Sequence, residues 1–327
     1  MTSAQSSATP KVTIGIPTMN RRGYLMLALE SVLAQTYKNI EVIVSDNAST
    51  DDTLEHLSTV TDARVRVLRQ SQNIGMVKNF NVTLEAATGE LFLLLSDDDI
   101  LEPTAIERLS APFRGLVAGL DSSTVGLSWS PDIIIDSTGV QLYASEAGPT
   151  IESPVHLLRG VFDGRRGTRL SSILIRTKDS LRFGGYDGSR HGVLCDTGNW
   201  SRCAVLYDWV YCTVEPLVQY RVHAASETQF ANCADWQLYA THIFEDLLVV
   251  LESRNDTQGA LELKKSANNS LANCTVTILL RFVGRPGWIS LFAREFWRSR
   301  RFMITPFVFR RILKDGFKLL RLRGASQ

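Results

Sequence analysis

The chain has 327 residues, 44% of them hydrophobic and 21% charged, with a formal net charge of +1. Such a balance describes a folded protein with a full core and room for an appendage; it excludes a disordered or collagen-like chain and an overall polyanion or polycation. No run approaches the roughly 18 apolar residues of a membrane-spanning helix, and the five cysteines (Cys195, Cys203, Cys212, Cys233, Cys274) contain no CxxC pair, which favours reduced thiols over disulfides or zinc.

Residues 1–10 are rich in Ser, Thr and Ala and lack the basic and apolar regions of a signal peptide, so they read as a disordered leader on a cytoplasmic protein. Val12–Pro17 is a short β-branched run stopped by proline, and Arg22–Gln35 places Leu25, Leu29, Val32 and Leu33 at helical spacing. Ile40–Asp46 repeats the buried-strand pattern. "STDDTLEHL" then opens a helix with Ser49 or Thr50 as its cap, and "RVRVLR" gives a third strand. A helix from about Gly75 to Ala87 leads into a strand at Leu91. Strands alternating with helices argue for βαβ units and a mostly parallel sheet. From Val125 to Tyr143 the rhythm becomes that of a hairpin, Leu170–Arg176 and Leu217–Val222 read as further strands, and the chain is helical after Cys233 with one break at Gly284–Gly287.

The most informative stretch is "LFLLLSDDDIL", Leu91 to Leu101, in which three carboxylates come directly after a buried run. Two carboxylates about 4 Å apart repel by roughly 4 kcal/mol at an effective dielectric of 20, so Asp97, Asp98 and Asp99 need an offsetting cation or free solvation. Two readings are open: a solvated turn in which Asp98 or Asp99 caps the helix starting near Pro103, or a cation platform in the crevice beyond a parallel strand's carboxyl end.

"VTIGIPTMNR", "VIVSDNASTDDT", "NIGMVKNF", "LLLSDDDIL", "FGGYD" and "PLVQYRVHAAS" occur in this order. Together they resemble the family-2 glycosyltransferases of the GT-A fold over roughly residues 11 to 227. The resemblance implies an α/β fold with a mostly parallel central sheet flanked by helices. Its catalytic domain would span 11–232, as a nucleotide half (11–110) and an acceptor half (111–232), followed by a helical, basic region at 233–327. It also implies transfer of a sugar from a nucleotide diphosphate to an acceptor hydroxyl with inversion, using Mn²⁺ or Mg²⁺.

Residue by residue, the resemblance places the metal-ligating carboxylate at Asp98, with Asp97 beside it toward the ribose and His223 near the metal. Asp46 matches the acidic residue at the base and ribose, and Asn47 stands where a second Asp is usual. That substitution leaves uridine, cytidine and thymidine donors open, since an amide both donates and accepts. Pro17, Thr18 and Arg21 line the nucleotide, and Lys78, with Asn79, matches a basic residue near the phosphates. Asp196 matches the general base, although Cys195 occupies the position of the usual Glu; Asp187 is its competitor. "SDNASTDDT" with "NIGMVKNF" is also similar to transferases of CDP-dideoxyhexoses such as abequosyltransferases.

Arg281 to Arg323 carries twelve Lys or Arg against Glu295 and Asp315 and is rich in aromatics. It reads either as an interfacial helix on the inner face of the cell membrane or as a helical bundle with a solvated basic face. No nucleic-acid-reading module accompanies the charge. The function expected is therefore glycosyl transfer to a glycan or polyprenyl-linked acceptor in surface polysaccharide or O-antigen assembly. The alternative is a catalytically silent glycan- or nucleotide-binding homologue. A nucleotidyltransferase would need a glycine-rich GxGTRL-type loop after the first strand, which is missing.

Overall fold

Every residue of strand β1 (Val12–Thr18) is buried, as a strand flanked by parallel neighbours on both sides requires. Strands β2 (Ile40–Asp46) and β3 (Val65–Arg69) extend the sheet on one side of β1 and β4 (Leu91–Leu94) on the other, all parallel. Pro17 is tolerated in this central strand for a geometric reason. The odd-numbered backbone groups of β1 face β4, as the bond from Leu95 N–H to Gly15 O shows, and the β1–β4 ladder ends at Gly15 and Leu94. Its missing N–H therefore costs no ladder bond. Gly15 has an equally local cause: a Cβ there would lie 2.5 Å from Thr83 Oγ1, so only glycine lets helix α3 (Met76–Glu85) press on β1.

The computed structural model describes residues 9–163, 165–223 and 233–267. Helix α1 (Arg22–Leu33) buries Leu25, Ala28, Leu29 and Val32 in a core with Ile14, Val42 and Leu93. On the opposite side Phe80 and Leu84 of α3 meet Phe92, Leu94, Tyr186 and Cys195. Helix α2 (Thr53–Ser58) starts later than the sequence implies. Its N-cap is Asp52, while Ser49 N–H is taken by Asp46 Oδ1 and Ser49 Oγ accepts from Asn20 N–H.

Beyond β4 come β5 (Ile100–Leu101), α4 (Ala105–Ser110), β6 (Val125–Trp129), β7 (Asp132–Ile135), β8 (Gln141–Ala144), β9 (Ile151–Glu152) and α5 (Pro154–Phe162). They are succeeded by β10 (Ile173–Arg176), α6 (Thr177–Arg182), α7 (Gly188–His191), α8 (Cys195–Ala204), β11 (Trp209–Cys212), β12 (Val218–Arg221) and α9 (Cys233–Ser253). The eight-stranded sheet has the order β3-β2-β1-β4-β10-β6-β11-β9, and a four-stranded sheet the order β5-β12-β7-β8. The sheet is parallel through its nucleotide half and mixed thereafter, because β10 pairs antiparallel with both β4 and β6. The hairpin expected across Val125–Tyr143 exists only as β7–β8; β6 and β7, separated by Pro131, belong to different sheets. The strand expected from Leu170 begins as a 3₁₀ turn, Leu170–Ser172, before β10.

Two compact units divide the chain: Met1–Pro154 with Gly167–Asp187 and Cys195–Ala224, and Val155–Arg166 with Gly188–Leu194 and Ala225–Gln327. In the second, Phe162 packs on Phe244 with ring centroids 4.8 Å apart, and Asp246 of α9 receives Arg190 Nε at 2.8 Å and lies 2.9 Å from the buried His191. Residues 257–267 continue it as helix. Cys195, Cys203 and Cys212 are buried free thiols. Thr9 and Pro10, read from sequence as leader, are held by Asn39 Nδ2 and Tyr37 Oη through their carbonyls. The rest of the leader and the basic segment Arg281–Arg323 lie outside the described residues, so the interfacial-helix and bundle readings of that segment are both carried forward. Among the described residues no helix is long and apolar enough to cross a membrane.

Candidate active site

Parallel strands deliver their carboxyl ends to one edge, and here Thr18 of β1 and Asp46 of β2 are register partners while Asp97, Asp98 and Asp99 come after β4. The charge that these residues concentrate is met from three directions. Thr18 Oγ1 donates to Asp97 Oδ2 at 2.7 Å. Arg21, the N-cap residue of α1, donates through Nη1 to Asp97 Oδ1 at 3.2 Å and to Asp98 Oδ2 at 3.0 Å. His223, just past β12, sets Nε2 2.8 Å from the same Asp98 oxygen. Burial pushes the Asp97 carboxyl up to about 6, against the pull of the Arg21 guanidinium.

Asp99 has a different role from its neighbours. It is 1% exposed; its Oδ2 accepts from Ser171 Oγ at 2.5 Å and its Oδ1 from Arg221 N–H at 3.0 Å. Burial first, and then the charge of Asp98, raise this carboxyl well above the ordinary range. It caps no helix: α4 begins at Ala105 behind Thr104. Instead Asp99 ties the acidic loop to the 3₁₀ turn, where Ser171 Oγ also accepts Ser96 N–H, and to β12, where Arg221 Nε donates to Asp98 O at 2.9 Å.

The remaining nucleotide-side residues divide into available and committed groups. Asp46 is fully buried, with Oδ1 taken by Ser49 N–H and Oδ2 lacking a hydrogen-bond partner. Asn47 accepts Ile74 N–H at 2.9 Å and donates to Asn73 Oδ1 at 2.9 Å, so its amide braces the loop before α3. Asn79 is likewise committed, to Ser45 on β2. Lys78 stands outside this bonding as a residue of α3, and Pro17 is buried within β1.

Asp196 lies at the start of α8, apart from the hydrogen-bonded cluster, and lines a small void, with room for about one water, together with Phe92, Leu94, Leu170, Tyr186 and Trp200. Asp187 is not among the lining residues. Burial raises the Asp196 carboxyl, opposed by the Thr197 N–H that it accepts at 2.7 Å. A carboxylate with a raised pKa suits proton abstraction nearer neutrality. Two residues that sequence reading passed over hold the Gly185–Tyr186 turn. Asn81 of α3 both donates to and accepts from the backbone of Tyr186 at 2.8 Å, and Arg202 donates to Gly198 O at 2.9 Å and Gly185 O at 3.0 Å. Gly185 sits at φ +72, where an added Cβ would strike Asn81.

The donor set tests the expected metal. Among the described residues no group of three His, Cys, Asp or Glu side chains could hold an ion alone. Asp98 Oδ2 and His223 Nε2 nevertheless lie 2.8 Å apart. A carboxylate is a ligand type for Mg²⁺ and Mn²⁺, the imidazole adds a nitrogen donor, and substrate phosphates ordinarily complete such a shell. The residues therefore fit a cation shared with a diphosphate.

Residues 13–121 match the family described as Glycosyl transferase family 2. Over 243 residues the chain is 28% identical to an uncharacterized glycosyltransferase, alr2836, of Nostoc sp., covering 68% of each protein. Over 103 residues it is 37% identical to a GalNAc(5)-diNAcBac-PP-undecaprenol beta-1,3-glucosyltransferase of Campylobacter jejuni, covering 31% of this chain and 33% of that one. The chain likewise spans 32% of the length of an uncharacterized Haemophilus influenzae glycosyltransferase. Among solved structures, S. aureus TarS 1-349 in complex with UDP-GlcNAc aligns with a TM-score of 0.55 at 16% identity, covering 82% of this chain and 81% of that one. Residues 13–121 thus belong to the family-2 glycosyltransferases, and the chain carrying them has the GT-A fold.

Proposed function

We propose that the chain transfers a sugar from a nucleoside diphosphate donor to an acceptor hydroxyl, with inversion and with the aid of Mn²⁺ or Mg²⁺. The observation that carries this reading is the hydrogen-bonded junction of Thr18, Arg21, Asp97, Asp98 and His223 at the ends of parallel strands, in the same compact unit as Asp196. Asp46, with its buried unpartnered oxygen, receives the nucleoside beside Thr18. Arg21 and Lys78 supply positive charge for the diphosphate. Asp196 takes the proton of the acceptor hydroxyl as its oxygen bonds to the anomeric carbon, and the bond to the diphosphate breaks with its electron pair leaving on that group. When bound by Asp98 and His223, a divalent cation supplies Lewis-acid neutralisation of the leaving diphosphate.

TarS is known in complex with UDP-GlcNAc and with UDP, and the Campylobacter relative is named for an undecaprenol-linked acceptor. These support a UDP-sugar donor, with CDP- and dTDP-sugars the alternatives that Asn47 leaves open, and a polyprenyl-linked or glycan acceptor of the surface-polysaccharide type. The basic segment Arg281–Arg323 is then the contact with the membrane that carries the acceptor. A thermal-shift panel of UDP, CDP, GDP and dTDP, each with Mn²⁺, Mg²⁺ or chelator, tests the reading. A ligand at 100 times its Kd adds about 2.7 kcal/mol of stability. One nucleotide is expected to stabilise in a metal-dependent way, and no shift with any pair would overturn the proposal.

A further inference from the structure

The junction has a fourth wall for which the proposed reaction gives no role. Tyr24, close to one helical turn after Arg21 on α1, stacks on the His223 imidazole with ring centroids 5.8 Å apart and planes inclined by 25°. The Arg221 guanidinium lies 4.9 Å from the centre of the same Tyr24 ring. Arg221 in turn donates to Asp98 O at 2.9 Å and to Asp136 O at 3.2 Å, and the Tyr24 hydroxyl reaches Ser137 O at 3.4 Å. Tyr24 therefore joins α1 to the end of β12 and to the β7–β8 turn.

We infer that Tyr24 is a positioning residue for the diphosphate and cation site: its ring fixes the imidazole plane of His223 so that Nε2 stays aimed at Asp98. The inference rests on the proposed metal-assisted reading and adds to it a residue that touches neither donor nor cation. A flat partner on one face of an imidazole just beyond the end of a β-strand restricts its ring torsion at little cost. Arg21 grips Asp98 from the N-terminus of the same helix, so α1 holds both members of the Asp98–His223 pair. The phenol oxygen contributes least, since its hydrogen bond, at 3.4 Å, is longer than those Arg221 makes to Asp98 O and Asp136 O.

The test is calorimetric titration of the full chain with UDP, CDP, GDP or dTDP, whichever stabilises it, with and without Mn²⁺. It compares the parent with Tyr24→Leu, Tyr24→Phe, His223→Ala and Tyr24→Leu combined with His223→Ala. Tyr24→Leu is expected to weaken Mn²⁺-dependent binding by about three- to tenfold, the loss that removing one aromatic stack gives, while metal-free binding is unchanged. Tyr24→Phe restores the parent value within about twofold. In the His223→Ala background Tyr24→Leu adds less than about twofold, because the partner it positions is gone. Equal Mn²⁺-dependent affinity in Tyr24→Leu and the parent overturns the Tyr24 role while leaving the functional reading intact. Full additivity of the two substitutions overturns it as well, as does equal weakening with and without Mn²⁺. A parent whose nucleotide binding is indifferent to Mn²⁺ overturns both.

Discussion

Asp99 offers the sharpest check on how the acidic loop is divided between structure and chemistry. Asp99→Ala removes the acceptor for Arg221 N–H and for Ser171 Oγ–H, both in a site that is 1% exposed. Each buried donor left unsatisfied costs about 1–3 kcal/mol. The Ser171 hydroxyl can turn elsewhere, whereas the Arg221 amide cannot, so the expected loss is about 1–3 kcal/mol. For a unit of this size each kcal/mol moves the melting temperature by roughly 2–4 °C, giving a fall of roughly 2–12 °C by calorimetry. Asp99→Asn should behave differently. Because burial disfavours the charged form of this carboxyl, an amide of the same shape, which keeps an acceptor for Arg221, should cost less than about 1 kcal/mol, with nucleotide binding retained. If Asp99→Asn destabilised as much as Asp99→Ala, the carboxyl would have to be ionised. If it left stability intact but abolished metal-dependent nucleotide binding, Asp99 would belong with Asp98 in the binding set.

Asp132 is fully buried and its carboxyl is pushed up to about 7 by burial, with Arg169 3.8 Å away opposing the rise. A carboxyl raised in the folded state binds its proton more tightly there than in the unfolded chain, so stability from this group declines as pH rises from about 4 to about 7. Urea titrations across that range should therefore show a shallower pH dependence in Asp132→Asn than in the parent, and parallel curves would refute the assignment. The raised carboxyl of Asp196 places the acid limb of the transfer rate above the ordinary carboxylate value of about 3.9, with the rate falling as pH drops through it; a limb at or below that value in a log(kcat/KM) profile would remove Asp196 as base. Asp98→Asn should abolish the metal-dependent part of nucleotide binding while leaving the melting temperature near that of the parent, and unchanged metal dependence would remove Asp98 from the cation site. Co-sedimentation of the full chain with anionic vesicles should be strong at low salt and weaken at high salt, whereas no binding at either would leave the basic segment without a membrane role.

The parts legible in the sequence are those written in local pattern. The apolar runs of β1, β2 and β4 identify strands buried on both faces, and parallel strands bring the residues at their carboxyl ends to one edge, which gathers Thr18, Arg21, Asp46, Asp97 and Asp98. The illegible parts depend on partners distant in the chain. Asp99 is indistinguishable from Asp98 until Ser171 and Arg221, 72 and 122 residues later, enclose it. That Asn47 also braces Asn73 and Ile74 through its amide is invisible in the sequence. Arg202 is one of many arginines until α8 brings it under the Gly184–Gly185 turn. Strands β9 and β11 have two and four residues, too short for a period to register. Pro131 is a usable signal that β6 and β7 part company, since proline interrupts a continuous ladder.

Sugar transfer with Asp196 as the base is tested most directly by measuring nucleoside diphosphate release. The substrates are a panel of UDP-, CDP-, GDP- and dTDP-sugars, with Mn²⁺ and a lipid-linked glycan acceptor, and the parent is compared with Asp196→Asn. The parent is predicted to release diphosphate from one donor class, and the variant to do so at a rate lower by about 10²-fold or more, the scale for removing a general base, with donor binding preserved. Equal rates in the two proteins, or no release from any donor by a parent that binds nucleotide, would contradict that mechanism.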